Sequence, residues 1–227
     1  GLRPSPPPTK GPPPLFPYFG RKARIANAYP APEFDLIIEP FAGSMAWSLH
    51  HRPSLALGFE VDTRVVSLWE RIMAATEPES PPILGSKTDD LLVKLCSYSE
   101  HSLTSGPMTV TSRMLRDWDS LWRRFLDQGV YAREHLQIVE GSYLDAPDVE
   151  ATWFIDPPYQ RANRRGYLHG ASTINFAGLA EWCRSRRGQV IVCEQEGADW
   201  LPFEPLTAVS SHRGAISTEV VWLQGGR

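Results

Sequence analysis

Leu36-Ile37-Ile38-Glu39-Pro40-Phe41-Ala42-Gly43-Ser44 is the stretch that decides the fold. Its apolar opening makes a short strand that stops at Glu39-Pro40, and the chain turns through Gly43-Ser44 into a second apolar stretch reaching Leu49. That reads as strand, turn, helix. The alternation continues downstream. Residues 55–59 form a second strand ending at Glu60, and over 63–75 Val65, Leu68, Trp69 and Ile72 recur at helical spacing. Residues 136–139, 152–155 and 190–193 are three further short apolar runs, the last two separated by a helical pattern over 176–183. Strands apolar on both faces that alternate with helices predict a parallel α/β sheet. Residues 207–210 and 219–223 predict a closing antiparallel pair.

The chain has 227 residues, which suits one substantial domain with an insertion. Apolar residues make up 42% and charged residues 22%, enough to bury a core, so wholesale disorder is excluded. Pro4, Pro6, Pro7, Pro8, Pro12, Pro13 and Pro14 make residues 1–14 an expected disordered, extended tail, with no greasy leader. No apolar run approaches the roughly 20 residues that cross a bilayer, so a soluble, cytoplasmic protein without membrane contact is expected. Pro78, Pro81, Pro82 and Gly85 break the α/β pattern, and residues 76–135 read as a helical insert. Its best helix runs over about 112–127, with Leu115, Trp118, Leu121, Trp122 and Phe125 as the apolar stripe. Cys96, Cys183 and Cys193 form no CxxC pair, which argues against a zinc ribbon or a disulfide framework and fits a reducing compartment. His50 and His51 show no metal-ligand spacing, so no metal is expected. The formal net charge of −3 gives no bulk argument for nucleic-acid binding, although arginines gather locally.

Two strand ends carry candidate chemistry. At the first, Gly43 lets backbone approach a ligand closely, and Glu60 at the end of the next strand can take both hydroxyls of a ribose. Together they point to a nucleoside-containing cofactor. At the second, the strand Thr152-Trp153-Phe154-Ile155 delivers Asp156-Pro157-Pro158-Tyr159 to its carboxyl end. The prolines stiffen the loop and lack N–H groups, leaving an acceptor-only surface made of the Asp156 carboxylate and the Pro157 carbonyl. Tyr159 is available to stack on a flat ring. This set matches an exocyclic amino group on a base, which offers two N–H donors in the ring plane.

Asp156-Pro157-Pro158-Tyr159 resembles the catalytic tetrapeptide of S-adenosylmethionine-dependent amino-methyltransferases, and Glu39-Pro40-Phe41-Ala42-Gly43-Ser44 resembles their cofactor loop. With the loop first, an insert next and the tetrapeptide last, the chain is similar to the Dam-like DNA adenine-N6 methyltransferases. Tyr18-Phe19-Gly20-Arg21-Lys22 approximates the aromatic-Gly-Gly-Lys motif of that group. The resemblance spans residues 15–223. It implies a Rossmann-like methyltransferase sheet built from 15–75 and 136–227, with 76–135 as target-recognition insert. It also implies S-adenosylmethionine as cofactor and double-stranded DNA with a flipped adenine as partner. Residue by residue, Tyr18 and Lys22 would contact the methionine part of the cofactor. Glu39, Phe41 and Gly43 would line its loop, Glu60 would hold its ribose, and Ser142 and Tyr143 would lie near its adenine. Asp156, Pro157, Pro158 and Tyr159 would hold the target adenine, with Asp156 also bordering the cofactor. Three departures bear on cofactor binding: Arg21 stands where the family has a glycine, Met45 where it often has the loop's second glycine, and Ser142 where it has an acid.

Hydrogen bonds from the target amine to Asp156 and the Pro157 carbonyl should favour a pyramidal nitrogen whose lone pair faces the methyl donor. Methylation at cytosine carbon 5 would instead need a cysteine nucleophile, ordinarily one that follows a proline; none of Cys96, Cys183 or Cys193 does. Arg161, Arg164 and Arg165 follow the tetrapeptide and are placed to grip phosphates beside a flipped base. Arg113, Arg116, Arg123 and Arg124 could track the backbone from the insert. The residues leave open RNA adenine or cytosine N4 as the target, and a binding module that kept the fold and lost the activity.

Overall fold

Four buried apolar strands set the frame. The computed structural model describes residues 15–16, 18, 22–97, 106–161, 170–210 and 216–225, so the proline-rich stretch 1–14 lies outside the described residues. In chain order the elements are α1 (Lys22–Ile25), β1 (Leu36–Glu39), α2 (Ala46–His51), β2 (Leu55–Glu60), α3 (Thr63–Ala74), β3 (Lys87–Thr88) and α4 (Leu91–Leu95). There follow β4 (Met108–Thr109), α5 (Ser112–Leu115), α6 (Trp118–His135), β5 (Leu136–Glu140), β6 (Glu150–Ile155), α7 (Phe176–Arg184), β7 (Arg187–Gln195), β8 (Glu204–Ser210) and β9 (Ile216–Gln224).

Seven strands form one sheet in the order β5-β2-β1-β6-β7-β9-β8. The first five are parallel, and β9 enters antiparallel between β7 and β8. This is the α/β, Rossmann-like sheet with a terminal antiparallel pair that the sequence predicts. Alternate residues of each central strand feed opposite faces. Ile37, Phe154 and Ile191 join one core with Trp47, Trp69, Trp122 and Phe125, whereas Ile38, Trp153 and Val190 join a second core under Leu179 and Cys183 of α7. Both faces are covered, which is why these strands read as continuous apolar runs.

The insert departs from expectation in two ways. The helix predicted over 112–127 is two helices, α5 and α6, separated at Arg116-Asp117, and α6 runs on to His135. Beyond Phe125 its buried face is Gln128, Gly129 and Ala132, too small or polar to show an apolar period. A Cβ on Gly129 would lie 3.6 Å from the Ile72 carbonyl of α3, an ordinary contact distance, so the two helices lie close here and an alanine would also fit. Consequently α6 shares a core with β1 and α3, and only the β3-β4 ribbon and α4–α5 stand apart from the α/β alternation. Among the described residues no helix is long and apolar enough to cross a membrane.

Candidate active site

Parallel pairing of β1 with both β2 and β6 brings Glu39, Glu60 and Asp156 to one edge of the sheet. The strand order reverses between β1 and β6, the place where open α/β sheets bind ligands. The loop after β1 is held by the end of β2: Ala42 N–H donates to the Phe59 carbonyl (2.9 Å), and Gly43 N–H donates to Glu60 Oε2 (3.0 Å). The Gly43 carbonyl accepts from Trp69 Nε1 at 2.8 Å. Gly43 has φ +46°, and a Cβ there would sit 2.8 Å from the ring of Tyr18, so only glycine fits beneath that ring. The next position with positive φ is Met45, at +44°. The family's glycine would suit this backbone; methionine accepts the strain and fills the space over Gly58 with its sulfur.

The three acids at this edge have different partners. Glu39 accepts from both the backbone N–H (2.9 Å) and hydroxyl (2.6 Å) of Ser48, fastening α2; burial pushes its carboxyl up to about 8 against those bonds. Glu60 takes Gly43 N–H on one oxygen and Asp62 N–H (3.0 Å) on the other, and burial raises it. Val61 N–H also bonds this carboxylate, so of its roughly four lone-pair sites about one stays open. Asp156 pairs with Lys22 Nζ at 3.2 Å, and burial, only partly offset by that cation, lifts it to about 6.

Lys22 itself is buried and stands among Asp156, Glu219 Oε1 (2.5 Å) and the Tyr159 hydroxyl. Burial would lower its pKa, but the surrounding carboxylates reverse the shift and keep it protonated. Its three N–H donors therefore have three partners here, all on the Asp156 side of the site. Tyr159 also donates to Glu219, as does Tyr29 (2.5 Å), and the Lys22 nitrogen lies 4.6 Å from the Tyr159 ring centroid. Pro157 is buried beneath the loop. On the other side, Phe41 stacks on Tyr143 with centroids 5.7 Å apart. Ser142, standing where the family has an acid, donates from its backbone N–H to Asp145 Oδ2 at 2.7 Å, so a carboxylate is present three residues later.

Arg161 is 61% exposed, with Asp199 3.9 Å away. Arg164 and Arg165 lie outside the described residues, as does Arg21. Arg113 on α5, Arg116 just after it and Arg123 on α6 are exposed, and Arg124 is half-buried. His50 bonds Asn27 (2.7 Å), and among the described residues no group of three or more His, Cys, Asp or Glu is arranged to hold a metal.

Glu219, Tyr29 and Glu194 belong to the site and escaped the sequence reading. Glu194 is fully buried and accepts from Gln160 N–H (2.7 Å), Gln195 N–H (2.8 Å) and Trp200 Nε1 (3.1 Å), pinning the exit of the Asp156 loop. It ends the run Val190-Ile191-Val192-Cys193 just as Glu60 ends its strand, so the same signal could have found it. Glu219, an acid inside an apolar strand, carried a weaker signal, and Tyr29 carried none.

No protein-family model and no curated protein matches this chain. A solved structure from Haemophilus influenzae, provisionally named a methylase, aligns over 93% of this chain and 92% of its own, with 12% identity and a TM-score of 0.43.

Proposed function

We propose that this protein transfers a methyl group from S-adenosylmethionine to the N6 amino group of a flipped adenine in DNA. The reading rests on one observation. Three motifs far apart in sequence converge on one sheet edge, with Tyr18 against Gly43, Gly43 bonded to Glu60, and Lys22 bonded to Asp156.

The donor set fits the cofactor. Glu60 keeps an acceptor site for a ribose hydroxyl, and Phe41, Tyr143 and the 43% exposed Val61 beside Glu60 offer apolar surface to a flat ring. When bound, S-adenosylmethionine would supply an electrophilic methyl on a sulfonium. The chain does the rest. At neutral pH Asp156 is ionised, with Lys22 on Oδ1, leaving Oδ2 to accept an N–H of the target amine. Together with the Pro157 carbonyl it would turn the nitrogen lone pair out of the base ring. The base must leave the helix to reach this edge, at a cost of a few kcal/mol. Exposed Arg161 is suited to a flanking phosphate.

The test is incubation of unmethylated DNA with methyl-labelled cofactor, followed by nucleoside analysis. N6-methyladenine is the expected product, and Asp156→Ala should lower its formation about a hundredfold, equivalent to about 3 kcal/mol, while calorimetry still shows cofactor binding. N4-methylcytosine, label on RNA alone, or near-normal turnover by the variant would overturn the assignment.

A further inference from the structure

The Asp156 carboxylate is paired with an ammonium that a second acid holds in place, and that acid sits on the last strand of the sheet, outside all three motifs. Glu219 Oε1 is buried and accepts from Lys22 Nζ and from the hydroxyls of Tyr29 and Tyr159. One oxygen thus joins the N-terminal segment to the tetrapeptide loop across an antiparallel strand. Neither tyrosine can be rotated away without leaving a buried hydroxyl unpaired, and the two carboxylates compete for one cation.

We propose that Glu219 is a positioning residue for Asp156: it fixes the Lys22 ammonium against the Asp156 carboxylate and anchors the Tyr159 ring beside it. This rests on the methyl-transfer reading for its use, but the arrangement is testable without turnover. Among the described residues, the charged and titratable groups around Asp156 come from several elements. They are Lys22 and Tyr29 from the N-terminal segment, Glu39 from β1, Tyr159 from its own loop, Cys193 and Glu194 from β7, and Glu219 from β9. Within this group Lys22 favours the ionised Asp156, while the charges of Glu219 and Glu194 oppose it. Glu219 therefore has two effects that differ in sign. Its hydrogen bonds hold the cation that helps Asp156 ionise, and its own charge resists that ionisation.

Glu219→Gln separates them, because an amide oxygen still accepts from Lys22 and both tyrosines but carries no charge. Carbon-13 NMR of protein labelled at aspartate carboxyls follows Asp156 directly, its signal identified by its loss in Asp156→Asn. In Glu219→Gln the Asp156 midpoint should fall by about one pH unit, since a like charge has gone. The acid limb of the methyl-transfer rate should fall with it, while the cofactor Kd stays within about twofold. Glu219→Asp keeps the charge and should keep the midpoint near that of the wild type. Glu219→Ala releases Lys22 and Tyr159 and should cut the rate at least about tenfold. An Asp156 midpoint unmoved in folded Glu219→Gln, or moved as far in Glu219→Asp, would overturn the proposal. If the midpoint moves as expected and the wild type transfers no methyl group, the Glu219–Lys22–Asp156 coupling stands and the methyl-transfer reading falls.

Discussion

Glu39→Gln should make this protein more stable at neutral pH, and increasingly so as pH rises. The Glu39 carboxyl lies under the loop after β1 with both Ser48 donors on it, and burial outweighs them to lift it from 4.5 to about 8. A carboxyl raised by folding binds its proton more tightly in the folded chain. Its contribution to stability is full below 4.5 and is lost progressively as pH climbs to about 8. The span from 4.5 to 7, at about 1.36 kcal/mol per pH unit, amounts to about 3 kcal/mol at neutral pH and about 5 kcal/mol above pH 8. Glutamine matches the protonated acid in shape, and its carbonyl can accept from Ser48 without titrating. Guanidinium unfolding of both proteins between pH 5 and 9 should show a difference under about 1 kcal/mol at pH 5 that widens to about 3 kcal/mol at pH 7. Subtracting the curves cancels most of the pH dependence contributed by Asp156 and Glu60. A difference that stays flat across this range, or narrows, would mean that Glu39 is ionised throughout and that burial does not govern it.

Glu60→Ala strands the buried N–H groups of Gly43 and Asp62, so it should cost about 1–3 kcal/mol of stability as well as cofactor affinity. Calorimetry and thermal melting read the two effects, and unchanged melting would place the anchor of the loop elsewhere. Gly58→Ala would put a Cβ within 2.8–2.9 Å of Met45, Ala42 and Ile138, and the overpacking should cost about 1–3 kcal/mol. An unmoved denaturation midpoint would show that the Met45 side chain yields freely. Arg161→Ala should weaken all DNA targets alike and lower the salt slope of binding by about one, whereas an arginine that is merely solvated would change neither.

The central strands were legible because burial on both faces writes itself into sequence as apolar runs, whereas the edge strand β5 is largely exposed and is interrupted by Gln137. Residues 36–38, 55–59, 136–139, 152–155 and 190–193 all fall within observed strands, and the terminal pair is antiparallel as expected. The insert was less legible, since beyond Phe125 α6 buries Gln128, Gly129 and Ala132, which show no apolar period. The Arg-rich stretches look alike in sequence and differ in place. Arg186 lies over the rings of Trp182 and Trp153, 4.6 and 5.4 Å from their centroids, whereas Arg161 projects into solvent.

The acids show where sequence reading stops. Glu39 and Glu60 each end a strand, Glu194 stands one residue before the end of β7, and Asp156 directly follows β6, so position along the chain makes all four look alike. Their partners separate them. Glu39, Glu60 and Glu194 all accept from backbone N–H groups, Glu39 also from the Ser48 hydroxyl and Glu194 from the Trp200 indole, and all three are under 10% exposed. These bonds fix the loops in place. Asp156 has a 21% exposed side chain and a cation as partner, drawn from a segment more than a hundred residues away. Lys22, held also by Glu219 and Tyr159, occupies Oδ1 of this partly exposed carboxylate and leaves Oδ2 to accept from an incoming amine. The three sealed acids have no such reserve. For each of them a new donor must displace a backbone N–H or share its oxygen. The division of labour between fastening and chemistry therefore lies in long-range pairing, which spacing along the chain does not encode.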